Sequence, residues 1–165
     1  MNTPAEASGP HLFTKQLRIK LCPLDVKTII VSSSHSYKQI NPQRFLINAR
    51  KGDEISISMK VVLNPGLLEC VINTLEVKSQ DKLSVEYGLR LSSGEESVES
   101  GTKKMSLSNV ELREGGDGPY NLVVKIDDDI EPGNYLVMLH SWLNITGIGV
   151  EIKGVTEYSL LLNIE

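Results

Sequence analysis

Residues 126–143 read IDDDIEPGNYLVMLHSWL, and this stretch decides the fold. It joins an acidic segment to a turn and then to an apolar run. Pro132 presets the backbone angle φ in the turn, and Gly133 supplies the positive φ that a type II turn needs. The run from Tyr135 to Leu139 is too continuously apolar for a strand with one face in water. We therefore predict a central strand that is covered on both sides.

Alternating segments extend from this strand in both directions along the chain. In the clearest one, Ile55, Ile57 and Met59 are separated by serines, which is the period of two of a half-buried strand. Similar runs occupy residues 12–24, 28–31, 45–49, 85–91, 105–112, 120–126 and 158–164. The connections are too short for helical crossovers, so the strands should pair antiparallel. The pattern predicts an all-β fold, a single antiparallel β-sandwich of about 9–10 strands with jelly-roll or immunoglobulin-like topology.

Three local features sharpen this prediction. The segment from Leu67 to Val77 is a weak strand candidate and leaves a short helix open. The alternation slips in phase at Ser108-Asn109, which suits a β-bulge. Tyr135 follows the turn by two residues, so its hydroxyl can bond back to the turn, as in the tyrosine corner of immunoglobulin-like sandwiches, or lie at the rim of the core.

Length and composition indicate one globular domain. The 165 residues suffice for one core and contain no interior linker, so we predict a domain over residues 12–165 behind a flexible tail, residues 1–11. Hydrophobic residues make up 40% and charged residues 23%, which is ordinary globular usage. The net charge of −4 lacks the basic surplus of nucleic-acid-binding proteins, and no apolar run could span a bilayer. We expect no nucleic acid and no membrane span.

The first residues and the cysteines bear on the cellular compartment. Residues 1–11 lack the apolar core of a signal peptide. A complete chain would therefore be cytoplasmic, whereas a chain excised from a longer precursor would be extracellular. Cys22 and Cys70 can form at most one bridge. Each lies in an apolar segment, which favours two buried thiols over a disulfide.

The acidic segment before the turn is a candidate metal site. Asp127 and Asp129 flank Asp128 in an extended segment, so they face one side, where Asp117 from a Gly-rich turn could join them. Calcium takes six to eight oxygen ligands of this kind. The alternative is a solvated turn in which aspartate bonds its own backbone. Calcium is the one cofactor that we consider, with Asp117, Asp127 and Asp129 as its ligands.

Two residues near the end of the apolar run are candidate binding residues. Trp142, the only tryptophan, would bind a protein or stack on a sugar if exposed, and would cap the core if not. Aromatic residues make up only 5% of the chain, which favours a protein over a sugar. His140 could act as a base for Ser32, Ser33 or Ser34, but no Gly-x-Ser-x-Gly elbow presents such a serine. A structural or surface histidine is the simpler interpretation.

Several short motifs follow one another in a recognisable order. They are Phe45-Leu-Ile47, Lys51-Gly52-Asp53, Ile55-Ser-Ile57, Val85-Glu-Tyr-Gly-Leu89 before Ser93-Gly94, Pro132-Gly133-Asn-Tyr135 and Glu157-Tyr158-Ser-Leu160. In this order they resemble the prepeptidase C-terminal type of β-sandwich module, over about residues 44–164. The chain departs from that family at Glu86-Tyr87-Gly88, where an aspartate is usual, and in the long segment from Pro65 to Lys82. The resemblance implies a non-catalytic module that accompanies secreted enzymes and helps them hold matrix or polymer substrates.

An all-β chain without catalytic spacing suggests a binding role. We predict a non-catalytic binding or assembly module that recruits a protein or polymer partner through loops or a sheet edge. One alternative is a structural subunit of a shell or filament, which would oligomerise. A second is a serine-type hydrolase that uses His140. The prediction is that the chain is not an enzyme.

Overall fold

The computed structural model describes residues 18–76, 83–92, 100–114, 119–147 and 149–165. Ten strands lie in these ranges: β1 (Val26–Ser33), β2 (Tyr37–Asn41), β3 (Arg44–Ala49), β4 (Glu54–Leu63), β5 (Ser84–Leu91), β6 (Lys103–Lys104), β7 (Val110–Glu114), β8 (Tyr120–Lys125), β9 (Gly133–Gly147) and β10 (Val150–Ile164). The helix α1 spans Leu67–Leu75, and a 3₁₀ helix spans Leu107–Asn109. No helix in the described ranges is long and apolar enough to cross a membrane.

The strands form two sheets. The strand order is β1-β4-β8-β7 in the four-stranded sheet and β2-β3-β10-β9-β5 in the six-stranded sheet, in which β6 also pairs with β9. One buried cluster draws apolar residues from both sheets, among them Ile57 on β4, Leu122 on β8, Val137 on β9 and Leu162 on β10. The predicted β-sandwich is therefore confirmed, with this cluster as its core.

The alternation on β4 shows how the sequence builds this core. Ile55, Ile57 and Met59 are 0%, 2% and 2% exposed, and the serines between them point away from the core. The antiparallel register with β8 places Ile57 beside Leu122, so one core residue meets another. Full burial of each such side chain contributes about 1.5–3 kcal/mol to the stability of the fold.

The sandwich is not antiparallel throughout. β10 runs parallel to β3, with Phe45 beside Leu160 and Ile47 beside Leu162, and β6 runs parallel to β9. The antiparallel prediction followed from short connections between successive strands. β3 and β10 are far apart in the chain, so no hairpin fixes their relative direction, and the long connection permits a parallel pair.

Contacts divide the chain into two compact units. The first consists of the described parts of Met1–Lys27, Val62–Gly88 and Trp142–Val155, and the second of the described parts of Thr28–Val61, Leu89–Ser141 and Thr156–Glu165. The buried cluster lies in the second unit. The predicted single domain over residues 12–165 stays a prediction, and the predicted tail, residues 1–11, lies outside the described residues.

The first unit contains α1. The helix buries Leu67, Val71 and Leu75, whose spacing of four residues keeps them on one face. The helix is capped by the next residue, Glu76, which has a left-handed conformation with a φ of 58° and donates its N–H to the carbonyl of Asn73. The segment that the sequence left open between strand and helix is therefore a short helix.

The first unit also contains a disulfide between Cys22 and Cys70, with Cα atoms 5.7 Å apart. The prediction of two buried thiols was wrong. A buried thiol and a disulfide-bonded cysteine both lie in apolar segments, so the sequence does not separate them. The two cysteines are 48 positions apart, and only the fold brings them together. Closing a loop of this size stabilises a folded chain by about 4 kcal/mol in the loop-entropy account.

The other local predictions have mixed outcomes. The hydroxyl of Tyr135 donates to the carbonyl of Glu131 at 2.7 Å, so of the two alternatives left open, the bond back to the turn is the one that forms. The predicted bulge near Asn109 is a 3₁₀ helix instead, closed by the N–H of Asn109 on the carbonyl of Ser106 at 3.0 Å. Both features shift the phase of an alternating strand, so the sequence pattern does not separate them.

Candidate functional site

The outermost strand of the four-stranded sheet, β1, exposes two large apolar side chains. Ile29 is 46% and Val31 is 55% exposed, whereas Thr28 is 4% exposed and Ile30 packs against the core. The pattern follows from the period of two, because Lys27, Ile29 and Val31 alternate with inward-facing residues over most of this strand. The exposed pair therefore forms an apolar strip on the outer face of an edge strand.

The other side of β1 is not paired with any strand of the described chain. In the strand order, β1 has one neighbour, β4. Just beyond β1, the N–H of Ser34 donates to the carbonyl of Ser56 on β4 at 2.8 Å. An edge strand presents backbone N–H and C=O groups on its open side, which an incoming extended segment can pair with.

The opposite edge of the same sheet, β7, is charged. Arg113 donates two hydrogen bonds to Glu111 in a forked arrangement, from Nε at 2.6 Å and from the terminal nitrogen at 2.8 Å. The hydrogen bond from Arg113 lowers the pKa of the Glu111 carboxyl, and the same bond raises the pKa of the Arg113 guanidinium. Charged edges of this kind resist pairing with another strand.

One edge strand of the other sheet, β2, carries a charge in its middle. All of its residues are exposed, and Lys38 lies within the strand. The ring of Tyr37 packs edge-on against Phe45, with ring centroids 6.0 Å apart. By contrast, residues 28–33 of β1 read TIIVSS and carry no charge. Among these three edge strands, β1 is the one with two exposed apolar residues at alternate positions and no charge between them, with Lys27 exposed at the next alternate position.

A hydrogen-bonded network holds the loop that follows β1. The hydroxyl of Ser34 bonds to Nδ1 of His35 at 2.9 Å, and Nε2 of His35 lies 3.2 Å from a carboxylate oxygen of Asp53. That same oxygen accepts the backbone N–H of Arg50 at 2.9 Å. The Arg50 N–H, followed by the hydrogen bond from His35, lowers the pKa of Asp53. The network ties the end of β1 to the turn between β3 and β4.

The turn in this network requires a glycine. Gly52 has a φ of +82°, which residues with a side chain rarely adopt. A Cβ atom there would also lie within 2.5 Å of a carboxylate oxygen of Asp128. Beside the turn is an open depression of about 280 Å³, lined by His35, Asn48, Ala49, Arg50, Asp53 and Glu165.

The order serine, histidine, aspartate in this network is that of a hydrolytic triad. Its hydrogen bonds instead hold the loop after β1 against the neighbouring turn. The oxygen of Ser34 accepts the N–H of Ser56 at 2.8 Å, which ties this serine to β4 as well as to His35. The serine also precedes its histidine directly in the chain, within the loop that the network holds. The histidine that Ser34 contacts is His35, whereas the sequence-based hydrolase hypothesis used His140.

His140 and Trp142, the predicted binding residues, lie on β9 in the six-stranded sheet. The His140 side chain is 17% exposed, and its Nε2 lies 3.9 Å from a carboxylate oxygen of Glu157 on β10. Trp142 is half-buried. Neither residue lies in the sheet that contains β1, and their role in binding stays a prediction.

The predicted calcium ligands are only partly described. Asp127 accepts a hydrogen bond from the side chain of Asn109 at 2.9 Å, and its carbonyl lies 3.4 Å from the N–H of Ile130. Asp117 lies outside the described residues. Within the described ranges, no three His, Cys, Asp or Glu side chains are grouped so that they could hold a metal ion. The calcium site with Asp117, Asp127 and Asp129 stays a prediction.

Sequence reasoning identified β1 as a short β-branched run but did not single it out as a site. A signal was present, since TIIVSS has apolar residues at positions of both parities and no charge. Such a run is typical of a strand buried on both faces. What the pattern does not contain is the position of the strand at the edge of its sheet.

No family model matches the chain, and no curated protein matches it. The resemblance to prepeptidase C-terminal modules therefore stays a prediction.

Several solved structures are similar at low identity. AggA, the major subunit of aggregative adherence fimbriae type I from Escherichia coli, is 11% identical with a TM-score of 0.40, over 86% of this chain and 96% of that one. The titin M3 domain is 11% identical with a TM-score of 0.30, over 86% and 99%. A nucleoside hydrolase-related hypothetical protein from Saccharophagus degradans is 14% identical with a TM-score of 0.37, and this chain spans 25% of its length. These similarities concern the fold alone, and the strand order described above establishes the sandwich.

Proposed function

We propose that the chain is a non-catalytic β-sandwich module that binds a protein partner by accepting an extended segment of that partner along β1. The observation that carries the proposal is the exposed, uncharged pair of Ile29 and Val31 on the outermost strand of the four-stranded sheet. The incoming segment would extend this sheet by one strand, held by main-chain hydrogen bonds.

Side chains at alternate positions would select the segment. Residues directly opposite each other in a strand pair lie close enough to pack, and pairs of β-branched or aromatic residues contribute about 0.2–1 kcal/mol each. Ile29 and Val31 would therefore favour β-branched or aromatic residues at two alternate positions of the partner. Backbone pairing supplies affinity, and these two contacts supply the preference.

Two further observations support a binding role without catalysis. The oxygen of Ser34 is engaged by the N–H of Ser56, so the network at the end of β1 is suited to holding a loop. The resemblance to prepeptidase C-terminal modules implies the same kind of role.

The disulfide between Cys22 and Cys70 supports an oxidising compartment, because such bonds persist mainly in secreted or exported proteins.

The test is selection of peptides from a random library displayed on phage, followed by binding assays with the selected peptides. We expect peptides with β-branched or aromatic residues at alternate positions. Val31→Lys should weaken their binding by about tenfold, the equivalent of about 1.4 kcal/mol. The matched control is Leu107→Lys, because Leu107 is 48% exposed but lies on the 3₁₀ helix. Peptides that bind Val31→Lys as tightly as the wild type would overturn the proposal.

A further inference from the structure

We infer that the partner accepted by β1 is a second copy of this chain, joined through an antiparallel β1–β1 pair that places Ile29 opposite Val31 of the second copy. The inference rests on the proposed function, since it names the occupant of the same edge. It follows from a property of the strand itself, which is complementary to its own reversed sequence.

The symmetry of a two-chain assembly restricts the register. In a two-fold interface, if residue i contacts residue j, then j also contacts i. Directly opposed residues in an antiparallel pair point to the same face, so an odd-numbered residue must meet an odd-numbered one. With Ile30 on the two-fold axis, Ile29 meets Val31 of the second copy on the outer face, twice per dimer. Both exposed apolar side chains of each copy then pack against an apolar neighbour of the other copy.

In the neighbouring registers, fewer apolar side chains lie opposite one another. With the axis moved to Ile29, Val31 lies opposite Lys27 of the second copy. With the axis moved to Val31, Ile29 lies opposite Ser33 of the second copy. In the register centred on Ile30, Lys27 falls opposite Ser33 of the second copy, so no like charges meet and no apolar residue faces a charge. This register is the one in which the strand's pattern fits itself.

A buried polar atom supports the same register. The Thr28 side chain is 4% exposed, and its Oγ1 atom has no hydrogen-bond partner in the described part of the chain. A buried hydroxyl without a partner is costly, and such groups are normally satisfied. Ser32 is exposed, and the period of two assigns it to the same face of β1 as Thr28. The register centred on Ile30 places Ser32 of the second copy opposite Thr28, where its hydroxyl can serve as a partner.

The expected dimer is weak. Stable complexes bury about 800 Å² on each partner, and a single short strand covers less than that. We therefore expect a dissociation constant of roughly 0.1–1 mM. The chain should therefore be mostly monomeric at micromolar concentration and increasingly dimeric toward the millimolar range.

Charge substitutions test both the edge and the register by sedimentation velocity over this concentration range. The double variant Ile29→Lys with Val31→Lys should be monomeric throughout, because each introduced lysine meets another. The double variant Ile29→Lys with Val31→Glu should dimerise, because in the inferred register each lysine meets a glutamate. Its dimer should weaken as salt is added, since exposed charges are screened. Circular dichroism melts establish that all variants are folded, and Leu107→Lys, which should dimerise like the wild type, serves as the control.

Three results would overturn the inference: a wild type that stays monomeric at millimolar concentration, a doubly lysine-substituted variant that dimerises as the wild type does, or a monomeric Lys/Glu variant. The peptide selection separates this failure from failure of the proposed function. A monomeric wild type that still binds selected peptides in a Val31-dependent way removes the second copy as partner and leaves the proposed function standing. Peptide binding that ignores Val31→Lys removes both.

Discussion

The two edge strands of the four-stranded sheet, β1 and β7, differ in the side chains that they expose. β7 reads VELRE, and its Glu111 and Arg113 form a forked ion pair on the strand. β1 reads TIIVSS over residues 28–33, with Ile29 and Val31 exposed. One edge carries alternating charge and the other carries an apolar strip, although both terminate the same sheet.

The difference shows what an unprotected edge requires. Pairing two copies of β7 would exchange an ion pair within one strand for an ion pair between strands and would bury little apolar surface, so it has little driving force. Pairing two copies of β1 would remove apolar surface from water without bringing like charges together. Solvent-exposed ion pairs contribute little to stability, so we attribute the charges of β7 to protection of the edge rather than to stability of the fold.

Loss of the disulfide should have the largest effect on stability and should distinguish the two edges. Cys22 lies only four residues before β1, whereas both cysteines are far from β7 in the chain. Replacing Cys22 and Cys70 by alanine should lower the free energy of unfolding by about 4 kcal/mol, measured by urea denaturation. Hydrogen exchange should accelerate more in β1 than in β7. A loss of about 0.5 kcal/mol or less, the level of an ordinary surface substitution, would contradict this expectation.

A substitution away from both edges should change stability without changing association. Tyr135→Phe removes the hydrogen bond to the carbonyl of Glu131 and should lower the free energy of unfolding by about 1 kcal/mol. Sedimentation velocity should give the wild-type degree of association. Tyr120→Phe, at a half-buried tyrosine on β8, is the matched control for loss of a hydroxyl. If Tyr135→Phe abolished association, the effect of edge substitutions could be ascribed to stability instead of to contact.

Removing the charges of β7 should make the two edges alike. Glu111→Val with Arg113→Val should leave the melting temperature nearly unchanged, because the ion pair is exposed, but should produce association at concentrations where the wild type is monomeric. The control is Glu111→Gln with Arg113→Gln, which removes the charges without adding apolar surface and should associate less. Equal behaviour of the valine variant and the wild type would show that charge does not protect β7.

Lowering the pH should have the smallest effect on the free energy of unfolding, through the carboxyl of Asp53 beside the end of β1. The pKa of Asp53 is lowered in the folded chain, chiefly by the N–H of Arg50 and then by His35, so its unfolded pKa is the higher one. Its contribution to stability is therefore present above the unfolded value, about pH 4, and is lost as the pH falls through the lower folded value. Asp53→Asn should show a smaller loss of stability over this interval, measured by urea denaturation at several pH values. The same loss in the wild type and in Asp53→Asn would rule out this carboxyl as a source.

The sandwich was predictable because its signal is local. The alternation of Ile55, Ile57 and Met59 determines which face of β4 is buried, whatever the neighbouring strand is. The bond from Tyr135 to the turn was one of two alternatives that the sequence offered, because both partners lie within five residues of one another.

The features that escaped prediction depend on distant residues. The direction of β10 beside β3 and the pairing of Cys22 with Cys70 are properties of chain segments that only the fold brings together. The candidate site escaped for the same reason. Residues 28–31 were identified as a strand, but whether a strand lies at an edge or between neighbours depends on the order of the whole sheet.

The place of β10 in the six-stranded sheet has a consequence for the making of this protein. β10 lies between β3 and β9, and its Ser159 is 115 residues beyond Arg44, which it contacts on β3. While the ribosome is still synthesising the chain, the side of β3 that faces away from β2 therefore stays unpaired until β10 emerges. We expect nascent chains arrested before residue 150 to bind chaperones that recognise unpaired strands, and full-length chains to bind them less.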